Sequence, residues 1–379
     1  MQCIRPAILL GAAVALCLPA TMSAQADNRY PTYTRRLLLE TTAATSANVS
    51  IGDLDGDGKL DLVLAKGRHW PLVSRVVLGD GHGGIRESYD LTAEAYRSYS
   101  ARLADVDGDG DLDVVLSNDT PDMKLVFVND GHGRFQSGST YGNAMWETRN
   151  ASVADLNRDS LPDIIVANRS DSSANYICLN RGQGRFDRNC SVLNRYSATT
   201  ITAADFNRDG WVDLLVPHRD GGQSYLYLSD RGAFSDARRV PFGPPDATIR
   251  MADVGDFNGD GRLDIVSIDE RRGAAVYDGL ADGSFGAGKP VGEPGVSPYA
   301  LAVSDLNLDG RLDILIGNVE APATILFNAG ADRPFVVAHA GDNQGAVYGF
   351  AIADLDQDGL PDIAMARSGA PNVVYFGGR

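Results

Sequence analysis

The 379-residue sequence predicts an all-β fold, a seven-bladed β-propeller with four-stranded blades, and two observations predict it. The pattern Asp-x-Asp/Asn-x-Asp-x-x-x-Asp occurs seven times, opening at Asp53, Asp105, Asp155, Asp205, Asp256, Asp305 and Asp354. Successive openers are 52, 50, 50, 51, 49 and 49 residues apart. A period near fifty residues holds four short strands and their turns, the content of one propeller blade.

Every period reads alike. A short apolar strand A leads into the acidic loop, as in Ala151-Ser-Val-Ala-Asp155, and strand B follows it. After a polar turn comes strand C, such as Tyr176-Ile-Cys-Leu179. A Gly-rich turn then ends in an aromatic that starts strand D: Asn129-Asp-Gly-His-Gly-Arg-Phe135 or Asn180-Arg-Gly-Gln-Gly-Arg-Phe186. Such glycines supply tight hairpin geometry. The seventh repeat stops at Tyr375-Phe-Gly-Gly-Arg379, after its third strand, while a spare strand-like segment, Tyr33 to Glu40, precedes the first loop. Pairing these ends gives the last blade its D strand, so an N-terminal strand closes the ring and leaves no open edge.

The loops carry the chemistry. In the first, Asp53, Asp55 and Asp57 occupy positions 1, 3 and 5, and a tightly curled chain converges their carboxylates on one point. Gly58 at position 6 permits the left-handed backbone that this curl demands. Position 7 offers a backbone carbonyl, and Asp61 at position 9 a closing carboxylate. Six or more hard oxygen ligands in a flexible cage suit Ca²⁺ better than octahedral Mg²⁺ and disfavour soft metals. The expectation is up to seven Ca²⁺ ions, one in each A–B turn. The ligand sets are Asp53, Asp55, Asp57 and Asp61 (loop 53–61); Asp105, Asp107, Asp109 and Asp113 (105–113); and Asp155, Asn157, Asp159 and Asp163 (155–163). They continue with Asp205, Asn207, Asp209 and Asp213 (205–213), and Asp256, Asn258, Asp260 and Asp264 (256–264). The last two are Asp305, Asn307, Asp309 and Asp313 (305–313), and Asp354, Asp356, Asp358 and Asp362 (354–362). Ser160 replaces the position-6 glycine of the third loop, and a strain of order 1 kcal/mol there predicts the weakest site. An EF-hand would place its bidentate acid at position 12 between helices, whereas strand-like Asp61-Leu-Val-Leu and Asp163-Ile-Ile-Val follow position 9 here.

The formal net charge is −16, and the seven loops hold 25 of the 50 acidic residues, so most of the acidity reads as ligand. The acidic balance also predicts no nucleic-acid partner. Residues 1–26 have the form of a secretory signal: Arg5, an apolar run from about Ala7 to Pro19, and Ala24-Gln25-Ala26 as a peptidase site. No other run approaches the ~20 apolar residues of a membrane span. The expected organisation is a signal peptide at 1–26 and the propeller at 27–379, secreted or periplasmic, without membrane insertion. Cys178 and Cys190 lie twelve residues apart across a predicted hairpin. A disulfide and two buried thiols both fit, and the register count sets the pair diagonally rather than directly opposite.

Segments such as Ala204-Asp-Phe-Asn-Arg-Asp-Gly-Trp-Val-Asp-Leu-Leu-Val216, taken with the Asn129–Phe135 turn, resemble FG-GAP or VCBS-type repeats. Those repeats are similar to the propeller of integrin α-subunits and of many bacterial exported proteins. The resemblance spans essentially all of 27–379. It implies Ca²⁺ on the Asp and Asn positions above and leaves activity open, because the family includes adhesins, lectin-like modules and propellers attached to enzymes.

With calcium in the A–B turns, the opposite face carries the D–A and B–C connections around a central channel. The D–A segments contain Tyr96, Arg97, Tyr99, Trp146, Arg149, Arg195, Tyr196, Arg250, Tyr299 and Tyr348. The B–C segments add Arg68, His69, Trp70, Asn168, Arg169, His218, Arg219, Arg271 and Arg272. Aromatic faces with Arg, His and Asn donors suit a sugar or acidic polysaccharide; the same aromatics also suit channel filling or packing between blades. The candidate ligand-binding set is Arg68, His69, Trp70, Tyr96, Arg97, Tyr99, Trp146, Arg149, Arg169, Tyr196, His218 and Arg219. His82 and His132 recur in Asp-Gly-His-Gly turns and read as turn chemistry. Gly-x-Ser-x-Gly and His-Glu-x-x-His are absent from the sequence. The expected function is therefore a non-catalytic binding or adhesion module for a glycan or protein ligand. A propeller-based polysaccharide lyase or hydrolase, and a structural component of an envelope complex, are the alternatives.

Overall fold

Strand B dictates the layout. It begins at the position-9 aspartate of each repeat and runs Asp61–Lys66, Asp113–Asn118, Asp163–Asn168, Asp213–Val216, Asp264–Asp269, Asp313–Asn318 and Asp362–Ala370. The first six are buried at every residue. A strand apolar on successive residues must be covered on both faces, so each sheet is sandwiched between neighbours. The computed structural model describes residues 29–169, 174–330 and 333–379, and the signal segment expected over 1–26 lies outside them.

The described residues form twenty-eight strands and one short 3₁₀ turn, Asp236–Arg238. In the first repeat the four strands are Ala44–Gly52, Asp61–Lys66, Arg75–Gly79 and Ile85–Asp90, paired antiparallel in sequence order. The next five repeats follow the same order. In the last, Ala346–Ala353, Asp362–Ala370 and Val373–Gly378 are joined by Thr32–Leu38 from the N-terminus, antiparallel along Val373–Gly378. This strand covers most of the segment expected at Tyr33–Glu40. Each strand A lies beside strand A of the next repeat, and the last lies beside the first. The fold is thus all-β, built of repeated four-stranded sheets arranged as in a propeller.

The core is distributed rather than central. Seven hydrophobic clusters lie between successive sheets. One joins Val63, Val76 and Leu78 of the first repeat to Val114, Leu116 and Phe127 of the second. Another joins Leu355, Val374 and Phe376 of the last repeat to Val49, Leu62 and Leu64 of the first. Strand D stays at the exposed edge, as in Ile85–Asp90.

Two local expectations change. Cys178 and Cys190 form a disulfide with Cα atoms 4.4 Å apart. The register Tyr176↔Val192, Ile177↔Ser191 extends to set them directly opposite, not diagonally. In the same repeat Phe186 makes an isolated antiparallel bridge to Asn180, and the continuous strand D runs Ser191–Asn194. Phe186 is also buried against Tyr141 of the preceding repeat, at 6.4 Å between ring centroids.

Tyr33 of the N-terminal strand is buried in the cluster between the sixth and seventh repeats. Tyr33→Ala should cost about 3–5 kcal/mol, by analogy with other large-to-small aromatic truncations in cores. The check is the midpoint of urea unfolding; a negligible shift would show that this strand does not hold the last sheet.

Candidate metal loops and channel mouth

All seven acidic loops fold by one hydrogen-bond plan. The position-1 aspartate accepts the position-6 N–H, as from Gly58 to Asp53 and from Ser160 to Asp155. Position 3 accepts the N–H of position 5, and position 5 that of position 7. The position-9 aspartate accepts two: Asp61 takes Leu54 N–H at 2.9 Å and Gly79 N–H at 2.8 Å. The same pair of bonds recurs at Asp113, Asp163, Asp213, Asp264, Asp313 and Asp362. These seven carboxylates are fully buried. Burial pushes Asp61, Asp113, Asp163 and Asp362 up to about 6 and Asp313 to about 7, with the loops' other aspartates adding to the rise.

A metal fits this donor set. Carboxylate oxygens of Asp53, Asp55 and Asp57 lie within 4.8 Å of one another, as do those of Asp105, Asp107 and Asp113, and of Asp354, Asp356 and Asp362. Positions 1, 3, 5 and 9 are all represented among these triads, and their oxygens converge although like charges repel. Protein cations stand against the same acids: Arg86 pairs with Asp55 and Asp57, Arg35 with Asp356, and Arg262 with Asp260.

Position 4 also demands left-handed backbone, a requirement the sequence reading missed. Gly56, Gly108 and Gly259 meet it freely, but Arg158, Arg208, Leu308 and Gln357 adopt φ near +60°. The third loop carries two such residues, Arg158 at 63° and Ser160 at 69°.

At the far end of strand A a second plan repeats. In six repeats the A–B register slips by one residue, leaving an unpaired residue in strand A: Ala47, Tyr99, Arg149, Arg250, Tyr299 and Tyr348. Each stands six residues before its loop's opening aspartate, and Thr199 holds that place in the fourth repeat. A β-bulge re-aims a side chain. All seven residues line one central cavity of about 700 Å³.

The mouth of that cavity is cationic and aromatic. The Arg250 guanidinium lies 3.3 Å from the Tyr299 ring centroid, Arg68 3.6 Å from that of Tyr348, and Arg149 4.6 Å from that of Tyr99. Tyr299 and Tyr348 meet edge to face at 4.6 Å. His69 Nε2 lies 3.0 Å from the Tyr99 hydroxyl. Burial holds His69 below the usual imidazole range, helped by the charges of Arg149 and Arg68. At Tyr299 burial acts upward, but Arg250, Tyr348 and Arg68 outweigh it and hold the phenol low.

A sequence profile of the FG-GAP-like repeat matches six overlapping segments: 53–116, 105–166, 155–216, 205–267, 256–316 and 305–365. The chain belongs to the FG-GAP-like repeat family. It is 34% identical to mouse integrin alpha-3 over 85 residues, which cover 19% of this chain and only 8% of that protein. Among solved structures it is similar to an Agrocybe aegerita lectin described as recognising non-reducing terminal N-acetylglucosamine. That match has a TM-score of 0.56 at 19% identity and covers 86% of this chain and 87% of the lectin. It is also similar to BBS1N from a complex with ARL6DN, with a TM-score of 0.62 at 12% identity, covering 91% and 96%. These structural likenesses concern the fold alone.

Within the FG-GAP-like frame the twelve candidate ligand residues separate. Arg68, His69, Tyr99, Arg149 and Arg169 line the central cavity, and Trp70 stands 69% exposed next to His69 in the chain. The others do not line it. Tyr96 bonds Glu94, and Arg97 pairs with Asp122 at 3.1 Å. Trp146 stacks on Tyr176 at 3.9 Å in the packing between the second and third repeats. Tyr196 accepts a bond from Arg239 beside a smaller cavity of about 430 Å³, with the His218 ring against it. Arg219 is buried and paired with Glu270. His82 and His132 donate their backbone N–H to Asp80 and Asp130 within their turns. Two cavity residues went unnoticed in the sequence, Arg102 and Asp253, which share one place three residues before the opening aspartate. Aligning the repeats on that aspartate reveals both.

Ser160→Gly should stabilise the protein by about 0.5–1 kcal/mol by relieving left-handed strain. Denaturation at saturating calcium checks this, and a loss of stability would remove the strain argument. Asp264→Asn should cost about 1–3 kcal/mol, because one oxygen cannot accept both the Phe257 and Gly279 N–H bonds.

Proposed function

We propose that this protein is an exported, calcium-stabilised, seven-bladed propeller closed by its N-terminal strand. It acts as a non-catalytic binding module for a glycan or protein ligand on the face opposite the acidic loops. The observation that carries the reading is the bulge collar, which turns Tyr99, Arg149, Arg250, Tyr299 and Tyr348 into one cavity mouth. Exposed Trp70 adds a ring of the kind that stacks on sugars. The recognition of a terminal sugar by the similar lectin is in keeping with a glycan ligand. Among the described residues no helix is long and apolar enough to cross a membrane.

Calcium is the ion of choice, because each loop offers hard oxygens at positions 1, 3, 5 and 9 and a carbonyl at position 7. Bound ions hold the loop carboxylates charged and close together, stiffening every A–B turn.

Binding at a hundredfold excess over Kd contributes about 2.7 kcal/mol per site. Chelation should therefore lower the melting temperature by about 10 °C or more, and an unchanged temperature would remove calcium from the account. On a glycan array the calcium-loaded protein should retain a ligand without releasing product. Turnover of a bound polysaccharide would replace the binding-module reading with the lyase or hydrolase one.

A further inference from the structure

The channel runs against the charge of the chain. On a protein of net charge −16, its lining contains, among the described residues, Arg68, Arg102, Arg149, Arg169 and Arg250 and a single acid, Asp253. Three of the arginines are braced by carboxylates outside the lining: Arg149 by Asp119 at 2.6 Å, Arg169 by Asp220 at 3.2 Å and Arg250 by Glu270 at 3.1 Å. Arg68 and Arg102 have no carboxylate within ion-pair distance among the described residues.

Arg102 is aimed by its neighbours. Its Nε donates to the Ala151 carbonyl at 3.0 Å and its Nη2 to Asn150 Oδ1 at 3.2 Å, which fixes the fork with neutral partners. Arg102 and Asp253 both line the channel and feel each other's charge, but they close no ion pair among the described residues. Two further groups are prepared but unused: Arg68 Nε and the Thr200 hydroxyl are both buried without a hydrogen-bond partner. Unpaired buried donors of this kind are costly. A planar guanidinium matches a carboxylate with two parallel bonds.

We propose that the channel binds the carboxylate of an acidic sugar, a uronate at the end of an oligosaccharide, between Arg68 near the mouth and Arg102 deeper in. This rests on the binding-module reading above and names its ligand class. The remaining wall suits a sugar, since Asn48, Ser50, Asn150, Ser152 and Thr202 offer neutral donors and acceptors for hydroxyls. A cavity of about 700 Å³ admits a few sugar rings and excludes a nucleic-acid duplex or a folded protein. The strong negative charge elsewhere repels the body of a polyanion, so the chain end enters.

The test is calorimetric titration of the calcium-loaded protein with trigalacturonate, its methyl ester and neutral galactotriose. The free acid should bind at least ~10-fold more tightly than either neutral sugar, the worth of about one charge-assisted pair. Arg102→Gln and Arg68→Gln should each lower that affinity by a similar factor. Because Arg102 also ties two neighbouring strands, Arg68→Gln serves as the second variant, and unchanged melting temperatures show that both fold. Equal affinity for the neutral sugars, or two folded variants that bind as well as the parent, overturns the uronate assignment while leaving glycan binding intact. Failure of trigalacturonate to bind overturns it as well, and a blank glycan array would then remove the glycan reading too. An acidic peptide displacing bound trigalacturonate with higher affinity would overturn it in favour of a protein ligand.

Discussion

Seven buried aspartates, each accepting two backbone N–H bonds, hold the fold's repeating unit together. Asp61 grips Leu54 at the start of its loop and Gly79 at the end of strand C, so one side chain joins the A–B turn, strand B and the C–D turn. The cost is a charge in a buried site, visible in the upward shifts at these positions. Two N–H bonds offset part of it, and a cation on the same loop would offset more. The residue that donates from the C–D turn is chosen to match. Where it is Asn, as at 129, 180 and 328, its amide also bonds a carbonyl in the preceding repeat's loop, fastening one repeat to the next. Where it is Gly79 or Gly279, an added Cβ would meet a loop carbonyl at 2.4 Å.

Packing then decides where function can reside. Strand B is buried on both faces and strand C largely so, which leaves them nothing to offer a ligand. Strand D is exposed but lies at the outer edge. Among the described strands it is strand A that faces the shared cavity, joined by Arg68, His69 and Arg169 of the B–C turns. A regular strand would spend alternate side chains on the neighbouring sheet, and the bulge breaks that alternation once per repeat near the mouth. The collar is therefore a property of the backbone register, filled by different residues in each repeat.

The parts legible in the sequence are those determined over short range. The nine-residue loop, the apolar run after it and the period between loops all follow from local chemistry, and the N-terminal strand follows from counting. The bulge does not, because nothing in Ser98–Ala104 marks Tyr99 as the residue that loses its partner. The direction of Trp146 was equally hidden. An aromatic in a connecting segment serves a site or a core, and only the position of Tyr176 decides. The opposed pair of cysteines depended on the register of strand D, which runs Ser191–Asn194 and pairs Ile177 with Ser191. Arg102 and Asp253 were within reach of the sequence, since their shared offset from the opening aspartates is a matter of alignment rather than folding.

The same strand carries both ends of the molecule's chemistry. Six residues separate each opening aspartate from its collar residue, roughly 20 Å at the rise of an extended strand. The loop end is open to solvent, where charges are screened beyond a Debye length of about 8–10 Å, whereas the collar arginines Arg149 and Arg250 are largely buried. A cation held in the A–B turn would thus contribute little field at Arg149 or Arg250. Any influence on the mouth would pass through the strand itself, whose last residue the loop fixes. A link of that kind would act through backbone register, and salt would not weaken it.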